Sequence, residues 1–228
     1  MINPELLLND VTLFDKGKKA RYRINGRGIP SVTELLSFID SEGLIYWANK
    51  IGREGKNNKD VVTEAANFGT AIHESIEMYL KKKPYEDNVC LDAFKEWWTN
   101  INGCHDIKIL GQEQQLICNY FAGTYDLLIS IDGKPYLIDF KTSNHVGYKY
   151  FMQLAAYRYL LYNVKNINIA GCVVLQFDKK EKKYREYSLD FTNPYDYEFI
   201  ENCHRAFMGL VYMYYNVKLC QKQFGAIF

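Results

Sequence analysis

Two aspartates and a lysine on neighbouring predicted strands are the residues best placed to do chemistry. Asp126 lies in one apolar run, and Asp139 and Lys141 end the next run along the chain. Because strand side chains alternate between two faces, Asp139 and Lys141 point the same way, whereas Phe140 points the opposite way. The neighbouring residues are apolar on both faces, which predicts a strand that is buried on both sides. Buried charges are costly unless they are paired or bind a cation, so we expect a metal site here.

The predicted turn between the two strands brings the carboxylates together. Asp-Gly at positions 132–133 separates two apolar runs, which is a strong signal for a two-residue hairpin loop. That loop moves Asp126 towards Asp139, and two converging carboxylates favour a hard divalent cation with oxygen ligands. The alternative is that both aspartates are strand-end carboxylates that pair with Lys141, because a short Asp-x-Lys motif often occurs without function.

The motif belongs to a longer set of residues in a recurring order and spacing. Over about residues 20–162 the chain resembles the PD-(D/E)XK nuclease superfamily, and within it the RecB-like exonuclease branch. That branch includes the mitochondrial genome maintenance exonuclease and many phage exonucleases. Tyr125 departs from the pattern, which has proline before the first aspartate. The matching residues are Pro30-Ser31-Val32-Thr33, the Trp47 region, Gly69-Thr70-Ala71-Ile72-His73, Glu113, Gly123-Thr124-Tyr125-Asp126, Ile138-Asp139-Phe140-Lys141-Thr142, Gln153 and Tyr157.

The resemblance implies a fold and a metal site. The fold is a restriction-endonuclease-like α/β core, a central mixed β-sheet flanked by helices, with an N-terminal helical segment. The cofactor is Mg²⁺ or Mn²⁺, since a histidine in an oxygen-rich ligand set suits Mn²⁺ as well as Mg²⁺. The candidate metal ligands are His73, Asp126, Asp139 and the backbone carbonyl of Phe140, with Glu77 and Glu113 as further candidates.

Three of these ligands have ordinary alternatives. His73 and Glu77 lie one helical turn apart, and a surface histidine beside an acid has the same spacing. The segment fails the zinc-protease motif, because position 77 is glutamate instead of a second histidine. Glu113, next to glutamines on a predicted strand, is either near the metal or an exposed strand residue.

The candidate catalytic residues are Asp126, Asp139, Lys141, Gln153 and Tyr157. Lys141 can orient the attacking water or stabilise the charge that develops on the phosphate. The resemblance assigns Gln153 and Tyr157 to the edge of the site, where they can hydrogen-bond Lys141 or a substrate phosphate. Amphipathic packing of one helix face explains their spacing equally well.

Basic residues are concentrated near the N-terminus although the net charge is only +1. Such a local patch can bind phosphates, or it can guard the edge of a hairpin. The resemblance further implies an arch over residues 31–67 through which a single strand threads, and Trp47 can stack a base there or pack in the core. A second basic run, 179–185, fits the guarded edge better. The candidate DNA-binding residues are Lys16, Lys18, Lys19, Arg21, Arg23, Arg27 and Trp47.

Composition favours one soluble domain. The 228 residues are 48% hydrophobic and 24% charged, and no apolar run reaches the length of a membrane span. The six cysteines contain no Cys-x-x-Cys pair, so we expect neither a structural zinc site nor an iron–sulfur cluster. We predict a single domain over 1–228, with a hairpin and arch-like segment (1–68), a catalytic core (69–192) and a C-terminal helix (193–228).

Local patterns predict the elements of that domain. A capping box at Ser31 begins a helix that continues to Ile39. The other predicted helices are 44–51, 60–80, 91–100, 149–162 and one that begins at 193. The predicted strands form a hairpin over 11–24, three neighbours over 107–118, 120–131 and 134–141, and two more over 168–177 and 183–189.

The function expected from all of this is metal-dependent hydrolysis of DNA by an exonuclease that acts on single strands or strand ends. The expected location is the cytoplasm of a bacterium or a phage-infected host, without membrane attachment, in DNA repair or recombination. Recombination or replication proteins are candidate partners. The alternatives are a structure-specific endonuclease and a catalytically silent nucleic-acid-binding module of the same fold.

Overall fold

The computed structural model describes residues 11–13, 22–24, 27–39, 49, 51–55 and 57–227. Within them, a five-stranded mixed sheet has helices packed against it, which confirms the predicted α/β class. The strands are Val11–Leu13 (β1), Tyr22–Ile24 (β2), Arg27–Ile29 (β3), Ile107–Ile117 (β4), Ala122–Ile131 (β5), Lys134–Lys141 (β6), Gly171–Phe177 (β7) and Tyr184–Asp190 (β8). The helices are Val32–Leu36 (α1), Asn58–Leu80 (α2), Val89–Cys104 (α3), Tyr148–Lys165 (α4) and Pro194–Ile227 (α5).

The main sheet has the strand order β4-β5-β6-β7-β8. Strands β6 and β7 are parallel, and the other neighbours are antiparallel. A parallel pair needs a long crossover, and α4 supplies it between β6 and β7. Strands β1–β3 form a separate antiparallel sheet.

The predicted hairpin between β5 and β6 is confirmed. Ile131 pairs with Lys134, so the loop contains only Asp132 and Gly133. Their φ angles are +50° and +82°, as a type I′ turn requires at both central positions. Gly133 adopts this conformation without strain, since it has no Cβ.

Strand β6 is buried on both faces, as its apolar pattern predicts. Leu137 packs on one face with residues of α1, α4 and α5. Ile138 and Phe140 pack on the other face with α2 and α3. Asp139 lies on the Leu137 face and is only 1% exposed. The carboxylate therefore lies in the interior, where it needs a compensating charge.

The helix at Ser31 is shorter than predicted. Ser31 Oγ accepts a hydrogen bond from the Glu34 amide at 2.9 Å, as expected of an N-cap. The helix ends at Leu36 instead of Ile39, because Ser37 donates its hydroxyl to the Glu34 carbonyl at 2.6 Å. Serine side chains that bond the backbone in this way compete with helix continuation.

Most other predicted elements differ from the structure by a few residues at their ends. Helix α2 begins two residues before the predicted 60, since the Asn57 side chain caps it by accepting from the Lys59 amide. Strands β1 and β2 pair as predicted, with Val11 opposite Ile24. The turn of that hairpin and most of the predicted helix 44–51 lie outside the described residues. No helix of the described ranges is long and apolar enough to span a bilayer.

Candidate metal centre

Three elements bring a histidine and two carboxylates together at one end of the sheet. His73 lies on α2, Glu113 on β4 and Asp126 on β5. One ligand atom from each lies within 4.8 Å of the others, so the three can hold a metal ion. His73 Nδ1 is 3.5 Å from Asp126 Oδ1 and 3.6 Å from Glu113 Oε1.

The His73 ring is held on its other side by Phe140. His73 Nε2 lies 3.2 Å from the Phe140 carbonyl oxygen, and the two rings meet edge to face with centroids 5.7 Å apart. Burial disfavours the charged imidazolium, but Asp126 and Glu113 outweigh it and raise the pKa of His73 to about 10. Ligation of a metal by His73 requires loss of this proton, since imidazole ligates in its neutral form.

Asp126 is buried and accepts a backbone hydrogen bond. The Phe140 amide donates to Asp126 Oδ2 at 2.7 Å, which ties β5 to β6 at the site. Burial alone would raise the pKa of Asp126. The charges of His73 and Lys141 and the Phe140 amide outweigh burial, and the pKa lies below its ordinary value. Asp126 is therefore an ionised acceptor.

Asp139 and Lys141 form a buried ion pair beside these ligands. Lys141 Nζ lies 2.6 Å from Asp139 Oδ2. Even so, among the described residues neither Asp139 oxygen has a hydrogen-bond partner of good geometry. Burial, assisted by the charge of Asp126, raises the pKa of Asp139 to about 6. For Lys141, burial opposes charge, but Asp139 and Asp126 prevail and raise the pKa. The alternative in which both aspartates pair with Lys141 therefore holds for Asp139 only, because Asp126 contacts His73 instead.

Glu113 has an unusual backbone conformation. It lies between the register pairs Gln112–Leu127 and Gln114–Tyr125, which places it across from Asp126. Its φ is +47°, a region that costs energy for residues other than glycine. Burial raises the pKa of Glu113, and the charge of Asp126 adds to this effect. A strained residue held beside a second carboxylate is typical of a functional position.

We call His73, Glu113, Asp126, Asp139 and Lys141 the charged cluster. Glu77, the remaining candidate ligand, lies outside the three-residue ligand group. It pairs with Lys81, the residue that directly follows α2.

Gln153 and Tyr157 are both buried on α4. Gln153 Nε2 donates to the Tyr157 hydroxyl at 3.1 Å, so the two residues bond each other instead of Lys141. Burial raises the pKa of Tyr157, and the charges of Asp126 and Asp139 add to that shift. A Cβ atom on Gly123 would lie 2.5 Å from Tyr157 Cε1, so glycine at this position lets the tyrosine pack against β5.

Most of the predicted DNA-binding residues lie outside the residues that the structure describes. Arg23 is exposed on β2. Arg27 lies in β3, and its side chain is not described. The other five lie in undescribed segments: Lys16, Lys18, Lys19, Arg21 and Trp47. Their contact with DNA stays a prediction.

Two residues at the site escaped sequence reasoning. Tyr150, in the first turn of α4, places its ring centroid 5.0 Å from Lys141 Nζ. Gln176 on β7 is the register partner of Lys141. Neither belongs to a motif. The sole sequence signal for Tyr150 is its place near the start of the helix that follows the Asp-x-Lys strand.

Comparisons with known proteins give distant structural likenesses. No family profile and no curated protein matches the chain. The solved structure of SSO0001 is 16% identical, covers 82% of this chain and 78% of its own, and has a TM-score of 0.42. The alkaline exonuclease LHK-Exo from Laribacter hongkongensis is 11% identical, with 70% and 86% covered and a TM-score of 0.32. Its complex with dAMP is 14% identical, with 74% and 91% covered and a TM-score of 0.31.

Proposed function

We propose that this protein is a divalent-metal-dependent deoxyribonuclease that acts as an exonuclease on single-stranded DNA or strand ends. The observation that carries the proposal is the charged cluster. Its residues come from α2, β4, β5 and β6, and they are among those that the nuclease resemblance implies. DNA repair or recombination is the proposed setting.

The donor set fits a hard divalent cation. His73, Glu113 and Asp126 offer one nitrogen and carboxylate oxygens within reach of one another. Asp139, outside this three-residue group, adds a buried carboxylate beside it, and one of its oxygens is paired with Lys141. Carboxylates with one imidazole suit Mg²⁺ or Mn²⁺ better than the softer metals that thiolates select. When bound, such a cation would neutralise charge on a phosphate and lower the pKa of a coordinated water.

The protein's own side chains can position the reactants. Lys141 is fixed between the Asp139 carboxylate and the Tyr150 ring, so its ammonium group holds a defined place at the edge of the site. From there it can donate to the attacking water or to a phosphate oxygen as negative charge develops. Phe140 sets the orientation of both His73 and Asp126 through its backbone carbonyl and amide.

Helix α2, which leads into the site, supports the proposal of a single-stranded substrate. In the first turns of α2, residues 58–67, all side chains except Asn58 and Val61 are exposed. This half of the helix is open to a ligand, while its second half packs in the core through Ile72 and Ile76. A single strand lying along the open half would reach His73, one of the metal-ligand candidates.

The decisive experiment is a cleavage time course on end-labelled linear single-stranded DNA with Mg²⁺ or Mn²⁺. We expect Lys141→Ala to slow cleavage by about 100- to 1000-fold, the effect of removing one electrostatic stabiliser of a transition state. Lys134→Ala, on the exposed end of the β5–β6 hairpin, is the matched control and should cleave like the wild type.

A circular substrate and EDTA separate the alternatives. Resistance of circles and loss of cleavage in EDTA would support an exonuclease, and the labelled end would give its polarity. Cleaved circles would identify an endonuclease. Full activity of Lys141→Ala would overturn the assignment of the site, and DNA binding without cleavage in either metal would identify a binding module.

A further inference from the structure

A groove lies beside the charged cluster, at the same end of the sheet. It has a volume of about 350 Å³ and is bordered by the exit from β6 and by the turn between β7 and β8. Its lining includes Lys179, Lys183 and Arg185, with Asp178 as its acid. The Asp178 carboxylate is already engaged, because it accepts hydrogen bonds from two backbone amides, at 2.8 and 3.0 Å. With three cations and one acid, the lining carries a net positive charge.

Strand register connects this groove to Lys141. Lys141 on β6 is opposite Gln176 on β7, and Gln176 is opposite Arg185 on β8. Residues that are opposite in register project from the same face, so the three side chains form a row across three strands. At about 4.8 Å between strands, the row extends roughly 10 Å from the charged cluster.

The row is held in place at its centre. Gln176 donates to the Ser143 carbonyl at 2.6 Å and accepts from the Tyr187 hydroxyl at 3.3 Å. On the far side of the groove, Lys179 Nζ lies 5.5 Å from the centroid of Phe68, an aromatic residue of α2. The groove thus has the Lys141–Gln176–Arg185 row on one side and the Lys179 ammonium group, next to α2, on the other.

We propose that this groove binds the phosphate backbone of the DNA strand next to the phosphate that is cleaved. The inference rests on the proposed nuclease function and adds the path of the substrate. Arg185 is exposed, and its guanidinium can hold a phosphate through two parallel hydrogen bonds. Lys179 adds a point charge along the same path, and so does Lys183, although its ammonium group also pairs with Glu181. The basic run 179–185 thus has a binding role instead of the edge-guarding role that its sequence favours.

The test compares two variants that lose the same charge. The groove variant is Lys179→Gln, Lys183→Gln and Arg185→Gln. The control variant is Lys134→Gln, Lys180→Gln and Lys182→Gln, at exposed positions outside the groove lining. All six side chains are exposed, so thermal unfolding should change little in either variant.

Binding of a labelled single-stranded oligonucleotide is measured by fluorescence anisotropy in EDTA, over a series of salt concentrations. Each lost phosphate contact lowers the slope of log K against log salt by about 0.7, so the groove variant should lose about 2. If the groove variant and the wild type bind equally at about 1 M salt, a slope difference of about 2 makes the affinity of the variant on the order of 100-fold lower at about 0.1 M salt. The control variant should keep the wild-type slope.

Equal losses of affinity and salt slope in both variants, or no loss in either, would overturn the proposal that the groove binds DNA. The outcome is separable from that of the nuclease proposal. If the wild type cleaves DNA and the two variants bind alike, the groove assignment is wrong and the nuclease assignment stands. If no metal supports cleavage but only the groove variant loses its salt slope, the nuclease assignment is wrong and the groove is a DNA-binding site of a protein that does not cleave.

Discussion

Two groups of charges, the α4–α5 contact and the charged cluster, differ in how their charges are balanced. At the α4–α5 contact, Arg158 Nη1 donates to Glu201 Oε1 at 2.6 Å. The guanidinium lies 5.3 Å from the ring centroids of both Phe191 and Tyr197. Burial opposes ionisation of Glu201, but the pair with Arg158 holds its pKa below the ordinary value. Here one acid balances the charge of one cation, although Arg158 Nε has no hydrogen-bond partner in the described part of the chain.

The charged cluster instead has more carboxylates than permanent cations. Three acids share Lys141 and the titratable His73. The pKa of Asp139 is raised to about 6, first by burial and also by Asp126. An arrangement that makes a carboxylate harder to ionise costs stability in the absence of a ligand. Perturbed acids of this kind cluster at functional sites, and stability is commonly given up there for activity.

The largest expected effect comes from neutralising Asp139. Asp139→Asn keeps the shape of the side chain and removes one negative charge. We expect cleavage to fall by more than about 100-fold, the upper value for residues that merely support a metal ligand. The melting temperature should not fall below that of the wild type, because the cost of burying an ionised carboxylate is removed and this offsets the lost attraction to Lys141. Cleavage rates and melting curves measured together test this. A large loss of stability with normal cleavage would show that Asp139 is a structural residue, like Glu201, and not a functional one.

The matching change at the other contact is Glu201→Gln, and its expected effect is the opposite. The free energy of unfolding should fall by about 1.5–3 kcal/mol, the range for a hydrogen bond to a charged group. Cleavage at a temperature where the variant is folded should stay at the wild-type rate. Because the pKa of Glu201 lies below its ordinary 4.5, the ionised pair is present above that pH and is lost as the pH falls further. Denaturant titrations should therefore show the difference at neutral pH and lose it in acid.

The smallest expected effect concerns the support of Lys141. Tyr150→Leu removes the ring that lies 5.0 Å from Lys141 Nζ, while Asp139 still holds the ammonium group. A cation–π contact is worth about 0.5–2 kcal/mol, so we expect a loss of roughly 2- to 30-fold in kcat. The KM for DNA should be unchanged if Tyr150 acts through Lys141. Tyr150→Phe keeps the ring and should restore the rate, and a failure of that rescue would argue against the ring contact.

Two local features beside the charged cluster, the hairpin turn and the alternation of β6, were predicted correctly from short sequence patterns. The Asp-Gly turn needs only two residues with positive φ, and its two-residue loop sets the pairing of Ile131 with Lys134. Alternation along β6 places Asp139 and Lys141 on one face and Phe140 on the other. These features depend on neighbours in the chain, so periodicity and turn chemistry reveal them.

Helix ends were less predictable, because a single side chain can decide them. Ser37 ends α1 by bonding the Glu34 carbonyl, and Asn57 begins α2 by capping the Lys59 amide. Serine and asparagine occur in helices, caps and turns alike. Their role depends on which backbone group is within reach.

Contacts between residues distant in the chain were visible only in the folded protein. Glu113 lies across from Asp126 with a φ of +47°. The row from Lys141 to Arg185 exists because β7 lies parallel to β6 and β8 antiparallel to β7. The residue types alone suggested metal binding, since carboxylates and an imidazole are ligands for a divalent cation and a lysine can stabilise a phosphate. Strand register and helix packing determined which of these groups meet, because such contacts depend on how the whole core packs.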